Sequence, residues 1–236
     1  MINNKKVLAV IPARGGSKGI KYKNLRKFNN VPLVVIAGKI GLATPEIDQV
    51  VVSTDNKKIA QVSKENGIPV PFVRPDELSG DLIGDVPVLK HSLFEMERIN
   101  KTSYDIIVML QPTSPLRKVE HVSSTIRLIT ENNYDSALTI SETDSKSHPL
   151  KQLEYKDGKV SFYNKKGSEI VARQELSPVF HRNGIAYAIK RSALIEEGKL
   201  IGRNTGANLI KENCISIDTE FDLELTEYLV NASLKK

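Results

Sequence analysis

The sequence holds one cysteine, no tryptophan and no apolar run approaching the ~20 residues a membrane-spanning helix needs. The lone thiol, Cys214, excludes a disulfide framework and a cysteine-based metal cluster, as expected of a reduced compartment. The N-terminal stretch MINNKKVLAVIP is too short in its apolar part for a secretory signal and shows no small-residue cleavage site before Arg14. A cytoplasmic protein without a membrane partner is the expectation. His148 and His181 lack the paired spacing of a zinc site. No Ser/His/Asp or Cys/His nucleophile set can be assembled. Aromatic residues make up only 6%, and 34 cations are spread against 28 anions, a net charge of +6. Nucleic-acid binders concentrate cations and interleave aromatics for stacking, so no nucleic-acid partner is expected.

Two common phosphate motifs are also missing. The Walker pattern fails because Lys18 is followed by Gly19 and Ile20, and no GxGxxG opens a helix. What stands in their place is the most informative segment, VLAVIPARGGSKGIKYKN at residues 7–24. Its apolar run Val7–Ile11 reads as a buried strand. After Pro12 comes a loop of Arg14, Gly15, Gly16, Ser17, Lys18, Gly19, Lys21 and Lys23. Glycines let backbone N–H groups approach an anion, and the cations supply charge. A strand emptying into such a loop is a natural triphosphate cradle, and the cations concentrate at 14–27. A glycine turn with solvated cations is the competing reading of any such loop.

Length and composition, 236 residues and 40% hydrophobic, fit one large domain with a modest insertion. Apolar runs at 7–11, 49–53, 70–73, 106–110, 136–140, 184–189 and 215–217 read as strands. Stretches 33–42, 57–66, 86–99, 119–132 and 221–232 read as helices. In the fourth of these, Val119, Val122, Ile126 and Ile129 share one face. The alternation predicts an α/β fold with a doubly wound, mostly parallel sheet. Residues 142–178 break the rhythm. Asp157-Gly158, between short alternating runs, signals a hairpin in an antiparallel arm too thin to own a core. A second subunit is the surface expected to cover it.

Three further clusters carry candidate chemistry. Gln111-Pro112-Thr113-Ser114-Pro115-Leu116-Arg117 follows the strand at 106–110, where ligands of open parallel sheets bind. Gln111 offers a donor and an acceptor, Arg117 offers a fork for a carboxylate or phosphate, and Ser114 is expected to cap the following helix. Asp218, in Ile217-Asp218-Thr219-Glu220-Phe221-Asp222, could hold Mg²⁺, a hard cation satisfied by one or two carboxylates plus phosphate oxygens. Capping of the last helix by Asp218 or Thr219, with Asp222 at its positive end, is the alternative. Arg173, in Arg173-Gln174-Glu175-Leu176, reads by itself as a solvated charge.

In their shared order, ARGGSKGIKYKN, RPDEL, QPTSPLR, HPLK, RQEL with HRNGIAY, and IDTEFD resemble the acylneuraminate cytidylyltransferase family, from about residue 5 to 231. The resemblance implies a Rossmann-like nucleotidyltransferase, a homodimer whose dimerisation arm is 142–178, and Mg²⁺ as cofactor. It implies that the anomeric hydroxyl of a nine-carbon 2-keto acid sugar attacks the α-phosphate of CTP, releasing pyrophosphate. By match, Arg14 and Lys23 hold CTP phosphates with Gly16, Ser17 and Lys18, Asn24 lies on the nucleotide, and Arg74 lines its pocket. Ile83 and Asp85 stand where members carry small hydroxylated residues beside the base, which places Asp85 in the nucleotide set. Gln111, Lys151 and Tyr187 would face the acid sugar. Arg173 matches an active-site arginine and Asp218 a metal-binding aspartate, with Asp222 as a second carboxylate. The same reaction on legionaminate or pseudaminate, a 3-deoxy-octulosonate cytidylyltransferase, and a non-catalytic sugar-nucleotide binder are the other readings.

Overall fold

The computed structural model describes residues 1–17 and 19–233. In chain order the first half contains β1 (Val7–Pro12), β2 (Lys27–Phe28), β3 (Val31–Pro32), α1 (Leu33–Ala43), β4 (Gln49–Ser53), α2 (Lys57–Glu65), α3 (Asp85–Asn100) and β5 (Ile106–Met109). The second half contains α4 (Val119–Asn132), β6 (Ser136–Glu142), β7 (Leu153–Lys156), β8 (Lys159–Phe162), β9 (Phe180–Lys190), α5 (Arg191–Glu196), β10 (Thr205–Leu209) and α6 (Glu220–Ser233). The chain divides into two compact units, residues 1–139 with 183–236, and residues 140–182.

The first unit is built on a mostly parallel six-stranded sheet in the order β10-β6-β9-β5-β1-β4. Strand β1 is parallel to β4 and to β5, whereas β9 runs antiparallel to β5. Val7 to Ile11 are wholly buried, as a strand covered by helices on both faces requires. Helix α1 packs against α2 and α4, while α3 packs against α5 and β1. On α4 the buried Val122, Ile126 and Ile129 form the apolar face expected from their spacing.

Two expected strands are absent. Residues 70–73 stay irregular beside β4, an edge strand: Val52 donates to the Pro69 carbonyl and Arg74 to the Thr54 carbonyl. Pro69 and Pro71 have no N–H to extend a ladder between those two bonds. Residues 215–217 attach through one backbone bond, Ile217 N–H to the Thr113 carbonyl at 2.8 Å. Ile217 is buried with Ile20, Phe28, Leu33 and Leu223 in a small separate core.

In the second unit β7 and β8 form the expected hairpin, turned by Asp157 (φ 51°) and Gly158 (φ 75°). Positive φ at both positions suits the strand twist of a two-residue hairpin loop. The register pairs Leu153 with Phe162 and Tyr155 with Val160. Opposed residues share a face, so these four side chains form one apolar surface. They are 41–77% exposed.

Candidate active site

The parallel strands β1 and β4 end level at the pair Pro12–Ser53, and β5 ends two residues earlier, with Met109 opposite Val10. Past the ends of β1 and β5 lies a cavity of about 200 Å³. Its wall brings together Arg14, Ser17, Lys23, Asn24, Arg74, Asp85 and Gln111, residues drawn from four separate stretches of sequence. This is the carboxyl edge where open α/β sheets bind ligands.

The loop after β1 is held from several directions. Gly15 N–H donates to Asp55 Oδ1 at 2.8 Å, and the buried Asn24 donates through Nδ2 to the Arg14 carbonyl at 2.9 Å. Burial of Ile20 in the small core anchors the loop's far side. Arg14 reaches Asp81 Oδ1 at 2.6 Å, and Lys23 Nζ reaches Asp218 Oδ1 at 2.7 Å. A side chain at Gly16 would meet no atom within 4 Å. Lys18 lies outside the described residues.

Arg74 forms part of the wall while being 3% exposed, with Nε donating to Ser53 Oγ at 3.1 Å and Nη2 to the Ser53 carbonyl. Burial pushes its pKa down to about 10, Arg14 adds to the fall, and the carboxylates of Asp55 and Asp85 oppose it. Asp85 opens α3 behind Gly84. The pocket therefore has a cationic side at Arg14 and Lys23 and a carboxylate at the helix start.

Other expected residues lie elsewhere. Tyr187 is in β9 opposite Met109, buried, and is not in the cavity wall. Lys151 ends the turn Pro149–Lys151 and Arg173 opens the turn Arg173–Glu175, both exposed and both in the second unit. Within that unit Arg173 borders a polar cavity of about 400 Å³ with Glu142, Asp144 and His148. His148 Nδ1 accepts from Leu150 N–H at 3.1 Å and Nε2 donates to the Ser177 carbonyl at 3.1 Å. Those partners select the neutral Nε2–H tautomer, so the histidine of HPLK caps the turn that carries Lys151.

Three expectations for the later motifs change. Ser114 does not cap α4; its hydroxyl donates to the Asn183 carbonyl at 3.3 Å, and Lys118 N–H meets His121 Nδ1 instead. Arg117 offers no fork to a ligand, because it is 3% exposed and bonded to main-chain carbonyls. Asp222 is taken up by the α6 start: Oδ2 accepts from Asp218 N–H, Thr219 N–H and Thr219 Oγ1, while Asp222 N–H donates to Thr219 Oγ1. Thr219 and Asp222 thus form a reciprocal cap, which leaves Asp218 pointing its carboxylate at Lys23. Asp55 and Asp81, which brace Gly15 and Arg14, were not anticipated. Both are single carboxylates in polar loops and carry no periodic signal.

The residues suit a hard cation. Asp218 is an exposed oxygen donor beside the phosphate-type loop. No group of three or more His, Cys, Asp or Glu converges among the described residues. Mg²⁺ needs no such cage, since one or two carboxylates suffice when substrate phosphates and waters complete the shell.

A cationic loop at the carboxyl edge of a mostly parallel sheet makes a site suited to a polyphosphate. The family model described as cytidylyltransferase matches residues 8–234, and the chain belongs to that family. It is 30% identical to the CMP-N,N'-diacetyllegionaminic acid synthase of Legionella pneumophila, over 95% of this chain and 96% of that protein. It is 27% identical to the N-acylneuraminate cytidylyltransferase of Escherichia coli, over 93% of this chain but 51% of that protein. Among solved structures it resembles CMP:2-keto-3-deoxy-manno-octonic acid synthetase complexed with CTP. The TM-score is 0.70 at 17% identity, covering 97% of this chain and 99% of that one, a likeness of fold. No helix among the described residues is long and apolar enough to cross a membrane.

Proposed function

We propose that the chain couples CTP to the anomeric hydroxyl of a nine-carbon 2-keto acid sugar, giving the CMP-sugar and pyrophosphate. The observation that carries this reading is the convergence of Arg14, Lys23, Asn24 and Arg74 in one cavity, with Asp218 ion-paired to Lys23. In the reaction the sugar oxygen bonds to Pα, the Pα–O–Pβ bond breaks, and the hydroxyl proton leaves to solvent or base. Such transfer needs positioning and charge neutralisation more than a covalent nucleophile. Arg14 and Lys23 hold the triphosphate, Arg74 and Asp85 flank the nucleoside, and Gln111 hydrogen-bonds the acceptor sugar. Lys151 and Tyr187 are assigned to the sugar side, and Arg173 to the catalytic set, by their motifs alone. Asp218 would hold Mg²⁺, with Asp222 Oδ1 as the other carboxylate oxygen on offer. When bound, the ion supplies neutralisation of charge on the phosphates.

A legionaminate-type acid is the second reading. It is favoured by the identity to a legionaminic acid synthase, 30% against 27% for the N-acylneuraminate enzyme. We further propose a cytoplasmic homodimer joined through the apolar hairpin face, since a lone two-stranded hairpin is marginal in water.

The test is pyrophosphate release with CTP, UTP and ATP across a panel of nine-carbon and eight-carbon acids. CTP should be preferred and a nine-carbon acid required. Equal use of UTP or ATP would sink the cytidylyl assignment, and full activity in excess EDTA would remove the metal.

A further inference from the structure

Arg117 is a buried cation with no carboxylate partner among the described residues. Its side chain joins two segments far apart in sequence. Nε donates to the Ile185 carbonyl at 2.5 Å, and Nη2 donates to the Gln111 carbonyl at 2.6 Å and the Gly184 carbonyl at 3.2 Å. Nη1 is buried without a hydrogen-bond partner among the described residues. Desolvation pushes the guanidinium pKa down to about 9. Burying a charge without a counter-charge is costly, and here the donors are spent on main-chain carbonyls.

What the guanidinium does is set geometry. Its planar fork carries fixed donors that a lysine ammonium cannot reproduce. It ties the main chain of Gln111, a residue in the cavity wall, to Gly184 within strand β9. Gly184 has φ 75°, and a Cβ there would stand 2.7 Å from Gln111 Oε1 and 2.9 Å from Ser114 Oγ. The Gln111 carboxamide is therefore confined on one side by the Gly184 backbone, while the main-chain carbonyl of Gln111 is clamped by Arg117. Ser114 Oγ, bonded to the Asn183 carbonyl, closes the same junction.

We infer that Arg117 is a positioning residue for Gln111, fixing its carboxamide at the cavity wall by clamping the main chain of Gln111 and Gly184. The functional consequence rests on the proposed role of Gln111 toward the acid sugar. The placement of Gln111 does not rest on it.

The experiment compares Arg117→Met, Arg117→Lys, Gln111→Ala and the double variant Arg117→Met/Gln111→Ala. Crystal structures of Arg117→Met or Arg117→Lys should show the Gln111 carboxamide displaced. Gln111 unmoved in both would overturn the inference whatever the enzyme acts on. In steady state, kcat/KM for the acid sugar should fall about ten- to hundredfold in Arg117→Met, with CTP dissociation constants within about threefold of wild type. The double variant should be no worse than Gln111→Ala, because both changes remove one function. Losses that multiply, or an equal loss of CTP affinity, would show a general structural role and overturn it. If Arg117→Met fails to fold, Arg117→Lys decides, since a point charge should not restore the clamp. Wild-type protein without CTP-dependent pyrophosphate release would refute the proposed function separately, leaving the crystallographic readout to judge Arg117.

Discussion

Gly19 sits where the phosphate-type loop touches the segment that carries Asp218. A Cβ built on Gly19 would fall inside 3.0 Å of the Asp218 carbonyl oxygen, a separation that real Cβ atoms essentially never show. The obstacle is main chain, so no side-chain rotation relieves it. The loop or the Asp218 backbone must yield by roughly 1 Å, and a misplacement of that size costs on the order of 10²-fold in rate. Forcing an extra methyl into a packed junction costs about 1–3 kcal/mol. At about 2–4 °C per kcal/mol for a chain of this size, the melting temperature should fall by roughly 2–12 °C. The assay pairs thermal unfolding with pyrophosphate release for Gly19→Ala. Gly16→Ala is the control, because its Cβ would meet nothing within 4 Å and the fold should be indifferent to it. A Gly19→Ala protein with wild-type melting and turnover within threefold would refute the idea that this contact sets the Asp218 position.

Arg14→Ala should lose about 10²–10³ in turnover with little change in melting, as when one preorganised donor is removed; a loss under threefold would show that the loop only turns the chain. Tyr155→Glu combined with Val160→Glu places charge on the apolar hairpin face and should convert dimers to monomers by light scattering; a wild-type monomer with full activity would remove the dimer proposal. On acidification, Glu212 contributes a loss of stability. Its own backbone amide, Lys118 and His121 hold its carboxyl down to about 2, so its contribution is present above about 4.5 and fades as pH falls from there toward 2. In Glu212→Gln the decline of melting temperature across that window should be shallower than in wild type, and an unchanged slope would discount the group.

The parts of the fold legible in sequence were those where burial is one-dimensional. Val7–Ile11 and Ile106–Met109 are short continuous apolar runs because both faces of the sheet are covered there. α4 was readable to its ends because its apolar residues recur at three and four. Direction was not readable: nothing in Gly184–Ile189 says that β9 runs antiparallel to β5, since apolar content is the same either way. β10 and α5 were not anticipated. The first is half polar and the second is six residues long, too short to display a period. At the site, Arg14, Lys23, Asn24, Arg74 and Gln111 were legible because each lies in a motif, Asp85 because it follows one, and the fold brings them to one wall. Arg117 belonged to a motif as well, yet burial decided its role, and burial depends on Ile185 and Gly184 far along the chain.

The paired charges around the cavity describe a counter-ion exchanger. Arg14 is matched by Asp81, Lys23 by Asp218, and Arg74 feels the carboxylates of Asp55 and Asp85. Clustered cations would repel one another and weaken the fold; interleaved carboxylates neutralise them within the protein. Half-exposed pairs of this kind are worth about 0–1 kcal/mol each, so a multiply charged phosphate chain can displace them at little cost. Under the proposed function, displacing Asp218 from Lys23 would have a second effect, because the carboxylate that gives up the ammonium would then be free to hold Mg²⁺. One exchange would thus load the phosphate on lysine and the metal on aspartate together.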